Sequence, residues 1–439
     1  MTYQPSYNLP ELSKKKAFEI LKTPVNELQR SSDYYKAVFN LSRFPGNDTE
    51  LLLLELIQSD SNHQSIKIAK RKAVEVLSIF KSYNSIPTIL KCMDAEDPYL
   101  VESSIWSLLN LNYKSSELTD RIIYLLNDSK QNRRYLIKAL AILKEDSVLP
   151  HLRKFYSDQF EPGIRGACIS AIAQLDGDIK NIKELEGNLF LLNQNDRQCA
   201  VQDIVDARAI NLLPSILKSP ISPSFRIRAL EAFSALSNYK EENKINVISQ
   251  LDSLILDDPN NINFLHKYEN NPKTDFLIDQ LFGADFARCY LALSYLIKRE
   301  PKEIFPYLKV NFERARKDYG AIYFFFILFR MLDDWDQNSL SLIRNLLVSM
   351  IESDWPDQMK FRSASIITLV DLYPEFSLQY ISNWLNIEAT PFWINRYATL
   401  LAIERSKLTM RTHDILENSK NDSNPFVRIK AKYIDCLFK

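Results

Sequence analysis

A helical phrase recurs along this 439-residue chain and constrains its fold more than any other feature. A polar turn leads into a run such as Phe225-Arg-Ile-Arg-Ala-Leu-Glu-Ala-Phe-Ser-Ala-Leu236, where small alanines meet long aliphatic side chains at the spacing of one helix face. Variants begin at Ile68 and Phe426 and lie around Ala37, Ala139, Ala167, Ala200, Ala287, Ala364 and Ala398. Neighbouring copies are often roughly thirty to forty positions apart, the period of helical repeats. The expected fold is therefore all-α: an α-α superhelix of the HEAT/armadillo-like solenoid kind, made of stacked antiparallel helix pairs. In such a stack each repeat touches only its neighbours, so a chain too long for one compact core still buries its apolar faces.

Composition supports this reading. The chain holds only seven Gly, whereas doubly wound folds and barrels need glycine for tight turns and for close approach of backbone to ligand. Its 55 basic and 55 acidic residues cancel, and no basic tail is present, which argues against nonspecific nucleic-acid binding. The five cysteines, Cys92, Cys168, Cys199, Cys289 and Cys436, sit in or beside expected helices near apolar neighbours, as buried free thiols do in a reducing compartment. No basic segment followed by an apolar run opens the sequence, and the longest unbroken apolar stretch, Ala321 to Phe329, is nine residues, too short to span a bilayer. A cytoplasmic protein without membrane insertion is the expectation.

The repeats divide the chain into four intervals: an extension over 1–30, repeats over 31–237, an irregular repeat with a long loop over 238–283, and aromatic-rich repeats over 284–439. Asp33 to Leu41, Thr49 to Gln58, Ile66 to Phe80, Ser85 to Met93, Pro98 to Leu111 and Gln131 to Leu143 are expected helices. Pro at the start of several copies suits the first helical turn, where its missing N–H costs no bond. The interval 238–283 carries Leu256-Asp-Asp-Pro and Asn-Asn-Pro272, which are turn signals and mark the expected boundary between two halves. After it come Tyr307, Phe312, Tyr323 to Phe326, Phe329, Trp335, Trp355, Phe361, Trp384, Trp393 and Tyr397, most of which read as core at helical spacing.

Metal and nucleotide chemistry find little support. His63, His151, His266 and His413 are far apart, no Cys-x-x-Cys exists, and neither a phosphate loop nor a nucleophile elbow is present. One segment departs from a scaffold's appearance. Glu313-Arg-Ala-Arg-Lys-Asp-Tyr319 places Arg314, Arg316, Asp318 and Tyr319 immediately before the apolar helix ending at Arg330, with Trp335 beyond. Asp318 reads either as the N-terminal cap of that helix or as a protonatable group on a binding wall. Arg134 and Tyr135 form a second basic-aromatic cluster in the first half.

With these features the chain resembles the helical-repeat bilin lyases of cyanobacteria, in particular the long single-chain members that serve phycoerythrin. The phrase Ser32-Asp-Tyr-Tyr-Lys-Ala-Val-Phe-Asn-Leu-Ser-Arg-Phe-Pro-Gly46 carries the resemblance. So does a Pro-x-x-Arg repeat opening seen at Pro162 and Arg165, Pro223 and Arg226, and Pro425 and Arg428. The Pro98 copy departs from it, with Val101 in the Arg place, and the Phe286 copy keeps Arg288 without a Pro. The resemblance implies a lyase that attaches phycoerythrobilin, as substrate rather than bound cofactor, to a phycoerythrin α subunit. A second lyase or chaperone subunit is an implied partner. It also implies Asp318 as proton donor and Tyr319 as its aromatic companion. Arg314 and Arg316 would serve the propionates, with Arg288, Tyr290, Arg330, Trp335, Arg134 and Tyr135 as further binding candidates. A lyase-isomerase yielding phycourobilin, or a non-enzymatic assembly scaffold, are the rival readings.

Overall fold

The structure, a computed structural model, describes residues 11–28, 30–157, 160–235, 241–352, 361–408, 412 and 416–437. Leu236, Trp355 and His413 lie outside the described residues. Among those described, all regular structure is helical. The chain divides into two compact units, Met1–Ile182 and Lys183–Lys439.

The first unit contains α1 (Lys14–Lys22), α2 (Asp33–Leu41), α3 (Asn47–Gln58), α4 (Gln64–Ile79), α5 (Ile86–Cys92), α6 (Pro98–Asn110), α7 (Ser116–Leu125), α8 (Arg133–Leu143), α9 (Leu149–Phe155) and α10 (Pro162–Asp176). Helices α2, α4, α6, α8 and α10 pack one on the next in a row, while α3, α5, α7 and α9 lie against their successors. The alanines of the recurring phrase explain the row. Ala37, Ala73, Ala139 and Ala167 are essentially inaccessible, and their small side chains let successive helices approach closely while Val38, Leu77, Leu140 and Cys168 fill the space between.

The turns are built by caps. Asp97, Ser115 and Asn132 each accept a hydrogen bond from the first turn of the helix they precede, and Pro98 and Pro162 occupy first helical positions. Glycine scarcity shows at the opposite ends. Lys81, Asn112 and Lys144 adopt the left-handed conformation just past α4, α6 and α8, a place more often taken by Gly.

The second unit contains α11 (Glu184–Asn188), α12 (Gln194–Asp206), α13 (Leu213–Leu217), α14 (Pro223–Ser234), α15 (Glu241–Leu256), α16 (Thr274–Gln280), α17 (Phe286–Leu296), α18 (Pro301–Ala315), α19 (Tyr319–Met331), α20 (Gln337–Ile351), α21 (Arg362–Leu372), α22 (Pro374–Leu385), α23 (Trp393–Arg405) and α24 (Pro425–Leu437). Here α17, α19, α21, α23 and α24 form the row. Helix α19 is its centre: Ala321 to Phe329 are all buried, and Phe324, Phe325, Phe326 and Phe329 meet Phe286, Phe282, Phe361 and Trp335 in edge or tilted contacts. Tyr307 is exposed instead.

The interval 238–283 lies inside this unit and differs from the loop-rich expectation. Its turn signals are confined to the connection after α15, while Val247, Ile248, Leu251, Leu254 and Ile255 repeat at helical spacing and are all buried. Helix α15 packs against α14, α21 and α24, so it is a core element of the second unit.

Candidate functional site

Two of the three Pro-x-x-Arg openings, those at Pro223 and Pro425, resolve into one device, whereas Arg165 after Pro162 lies over the Tyr156 ring. Pro stands at the first helical position and Arg at the fourth, from which the guanidinium reaches back to carbonyls of the preceding turn. Arg428 donates to Asp422 O and Ser423 O at 2.6 and 2.9 Å. Arg396 donates to Thr390 O and Pro391 O at 2.7 and 2.9 Å and forms a two-pronged pair with Asp422 at 2.6 and 2.8 Å. Arg197 donates to Leu191 O and Leu192 O and pairs with Asp285. Outside this device, Arg71 at the eighth position of α4 forms a two-pronged pair with Asp97 at 2.8 and 2.9 Å. Arg197 and Arg396 escaped the sequence search because no Pro stands three positions before them.

Arg226 takes the same position in α14 and anchors a wholly buried cluster. It donates to Asp257 at 2.6 Å and to the Tyr290 hydroxyl at 2.5 Å, and Tyr323 donates to Asp257 at 2.6 Å. Tyr290 also donates to Asp257. Burial pushes both phenols well above their ordinary value, with the Asp257 charge adding to it, so they act as donors. Asp257 itself has φ of +48° at the end of α15, a left-handed conformation that Asp tolerates. Arg330 donates to the neighbouring Leu256 carbonyl. One turn thus ties α14, α15, α17 and α19 together.

This places the sequence candidates in three settings. Tyr290 is fully buried in the cluster just described, Arg330 holds α15, and Trp335 is buried with its Nε1 donating to Phe329 O at 3.0 Å. Arg330 and Asp318 stand at opposite ends of α19, about 18 Å apart by helix rise. Arg134 and Tyr135 open α8 in the first unit, where Arg134 donates to Gly163 O at 2.6 Å and burial raises the Tyr135 phenol.

The third setting is the mouth of α19, where Asp318, Tyr319, Arg314 and Arg316 remain in contact with solvent, while Arg288 is exposed on α17. Asp318 caps the helix: its Oδ1 accepts from the Gly320 and Ala321 N–H groups at 2.9 and 3.0 Å. Glycine at 320 leaves room for that carboxylate, because a Cβ there would stand 3.3 Å from Oδ1. Oδ2 accepts no hydrogen bond among the described residues. Tyr319 is 45% exposed.

Arg314 lies over the Phe282 ring at 3.8 Å and pairs with Asp279 at 2.6 Å, and Arg316 pairs with Glu313 at 3.3 Å. Exposed pairs of this kind are worth about 0–1 kcal/mol, so a ligand carboxylate can replace either partner. Beneath the mouth, burial and the nearby Asp285 and Asp318 charges push the Cys289 thiol up to about 12. Its Sγ lies 3.3 and 3.4 Å from the Gly283 and Gln280 carbonyls. That thiol is no nucleophile near neutral pH.

No protein-family model matches the chain. A curated relative, bilin biosynthesis protein CpeY of Synechococcus sp. strain WH8020, is 37% identical over 411 residues, covering 92% of this chain and 98% of the relative. The chain belongs to the HEAT-like-repeat phycobilin lyase family of cyanobacteria. A second relative, uncharacterized phycocyanin operon protein Y of Pseudanabaena tenuis strain PCC 7409, is 26% identical over 425 residues, 95% of this chain and 99% of that one. The solved complex of CpcE and CpcF of phycocyanin lyase from Nostoc sp. PCC7120 covers 58% of this chain and 99% of that chain, at 19% identity and a TM-score of 0.46. No helix among the described residues is long and apolar enough to cross a membrane.

Proposed function

We propose that this family member attaches phycoerythrobilin through a thioether bond to a cysteine of a phycoerythrin subunit, with the α subunit as the acceptor to test first. The observation that carries the reading is the near full-length likeness to a protein named for bilin biosynthesis.

The reaction is an addition. The acceptor thiol's S–H breaks, sulfur bonds to the exocyclic carbon of the bilin's ethylidene group, and a proton is delivered to the adjacent ring carbon. No electrons are lost or gained. On this reading the nucleophile belongs to the acceptor, and Cys289, buried with its thiol pushed up to about 12, is no candidate for that role.

Its contribution is binding and proton management at the mouth of α19. The Asp318 Oδ2 would face the pyrrole N–H groups and exchange their proton, while Oδ1 stays fixed by the helix. A charged carboxylate there also favours the protonated, more electrophilic tetrapyrrole. Tyr319 offers an exposed ring for stacking, and Arg314, Arg316 and Arg288 are the candidates for the two propionates. Tyr290, Arg330 and Trp335 act as positioning residues that hold α17 and α19.

Co-expression of this chain with a phycoerythrobilin-producing pathway and a phycoerythrin α subunit tests the reading. A covalent adduct absorbing like attached phycoerythrobilin supports it. An adduct at shorter wavelength makes the protein a lyase-isomerase, and higher acceptor solubility without any adduct makes it an assembly scaffold.

A further inference from the structure

We infer that Gln194 is a positioning residue for bilin attachment, because it fixes the turn before α17 that borders the mouth of α19. The inference rests on the lyase reading above. Gln194 opens α12, and its side-chain amide brackets that turn: Nε2 donates to Ala284 O at 2.8 Å, and Oε1 accepts from the Phe286 N–H at 2.8 Å. Three positions on, Arg197 pairs with Asp285, whose Oδ1 also accepts from the Ala287 N–H at 2.9 Å as the cap of α17. One helical turn of α12 thus holds three successive residues that lie 88 to 92 residues further along the chain.

The bracketed turn adjoins the candidate bilin residues. Phe282 lies under the Arg314 guanidinium at 3.8 Å and meets the Phe325 ring at 5.9 Å between centres. Phe286 meets Phe324 at 5.3 Å. The Gly283 carbonyl lies 3.3 Å from the Cys289 Sγ, and the Asp285 and Asp318 charges both act on that thiol. A displacement of 284–286 therefore reaches Arg314 through Phe282, and the first turns of α19 through Phe286.

Stability alone does not call for the bracket. Gly283 and Ala284 are exposed and Phe286 is half-buried, so water could serve the Ala284 carbonyl and the Phe286 N–H. A single side chain that takes both gives the turn a fixed position, which water would not. Position is what the proposed chemistry needs, since a misplacement of about 1 Å costs about a hundredfold in rate. Gln194 would act through the turn, without touching the bilin.

Gln194→Met keeps the side-chain length and removes both hydrogen bonds. Gln198→Met makes the same change one helical turn along α12, at a side chain with no hydrogen bond to the turn among the described residues. Attachment of phycoerythrobilin to the phycoerythrin α subunit is timed with each full-length chain. Calorimetric Tm is measured alongside, with visible circular dichroism of chain plus bilin before acceptor is added. Gln194→Met should lower the maximal rate about tenfold, leave the KM for acceptor unchanged and alter the visible band, with Tm within about 2 °C of wild type. Gln194→Glu keeps the acceptor but sets an oxygen against Ala284 O, and should be slow as well. Gln198→Met should match wild type throughout. A wild-type chain that yields no adduct refutes the lyase reading, and this inference with it. Where wild type does form the adduct, three results overturn the positioning role alone: wild-type rates in both Gln194 variants, a rate loss that follows a lowered Tm, or an equal loss in Gln198→Met.

Discussion

Replacing Asp257 with asparagine removes one negative charge from the turn that joins four helices, with almost no change of shape. Asparagine tolerates the φ of +48°, so the backbone is not disturbed. The charge is another matter. Arg226 is 2% exposed, and its other described acceptors, the Tyr290 hydroxyl at 2.5 Å and Leu217 O at 3.4 Å, carry no charge. Stranding a buried guanidinium costs about 3–5 kcal/mol. The Tyr290 and Tyr323 phenols would meet an amide that offers one acceptor where two carboxylate oxygens stood, worth about 1 kcal/mol more. These terms share a partner and do not add fully, so about 4 kcal/mol is the expected loss. For a unit of this size that corresponds to a fall of about 8–16 °C in Tm. Scanning calorimetry should show the fall in one transition, assigned to the second unit. Adding Arg226→Met should recover part of it, because no charge is then left unpaired. A fall below about 2 °C, or a double variant worse than the single one, would refute the reasoning.

Asp318→Asn keeps an oxygen that accepts from Gly320 and Ala321, so Tm should barely move while bilin attachment drops by about a hundredfold; unchanged attachment removes Asp318 from the mechanism. With its thiol pushed up to about 12, Cys289 should resist iodoacetamide at pH 8 in the folded protein, while exposed Cys436 is alkylated, as read by peptide mass spectrometry. Labelling of both at similar rates contradicts the burial. Lys430 is fully buried with Nζ 2.8 Å from Asp252 and a second bond to Glu404. Burial holds the Asp252 carboxyl above its ordinary value, and Lys430 opposes that. A carboxyl raised in the folded state stabilises at low pH, a contribution lost as pH climbs through its folded value. Lys430→Met raises it further, so the variant's Tm deficit should be larger at pH 8 than at pH 5. A pH-independent deficit refutes this.

The helices were readable because their apolar positions keep a 3.6-residue period, and Asp33–Leu41 emerges with the boundaries expected of it. Asp318 at a helix mouth was readable for a similar reason, since a capping residue, a small residue and an apolar run form a local signal. The arginine partners were not local. Asp257 and Asp422 sit 31 and 26 residues after the guanidinium groups that they neutralise, in turns that look like any other polar turn. Tyr290 follows Arg288 closely and reads as amphipathic surface, yet the helix turns the one outward and the other into the core. In 238–283 the prolines and asparagines outweighed the periodic apolar residues of α15.

The arginine device has a consequence for the order in which the chain is made. Arg226 and Arg396 depend on an aspartate synthesised 31 and 26 residues later, and Arg197 depends on one 88 residues later. A nascent chain therefore exposes each guanidinium to the ribosome surface before its counter-ion exists. The opening of the second unit cannot lock until Asp285 has emerged. The same rule governs fragments: a chain ending before Asp422 keeps Arg396 without its carboxylate, whereas one ending after that turn closes its last clamp.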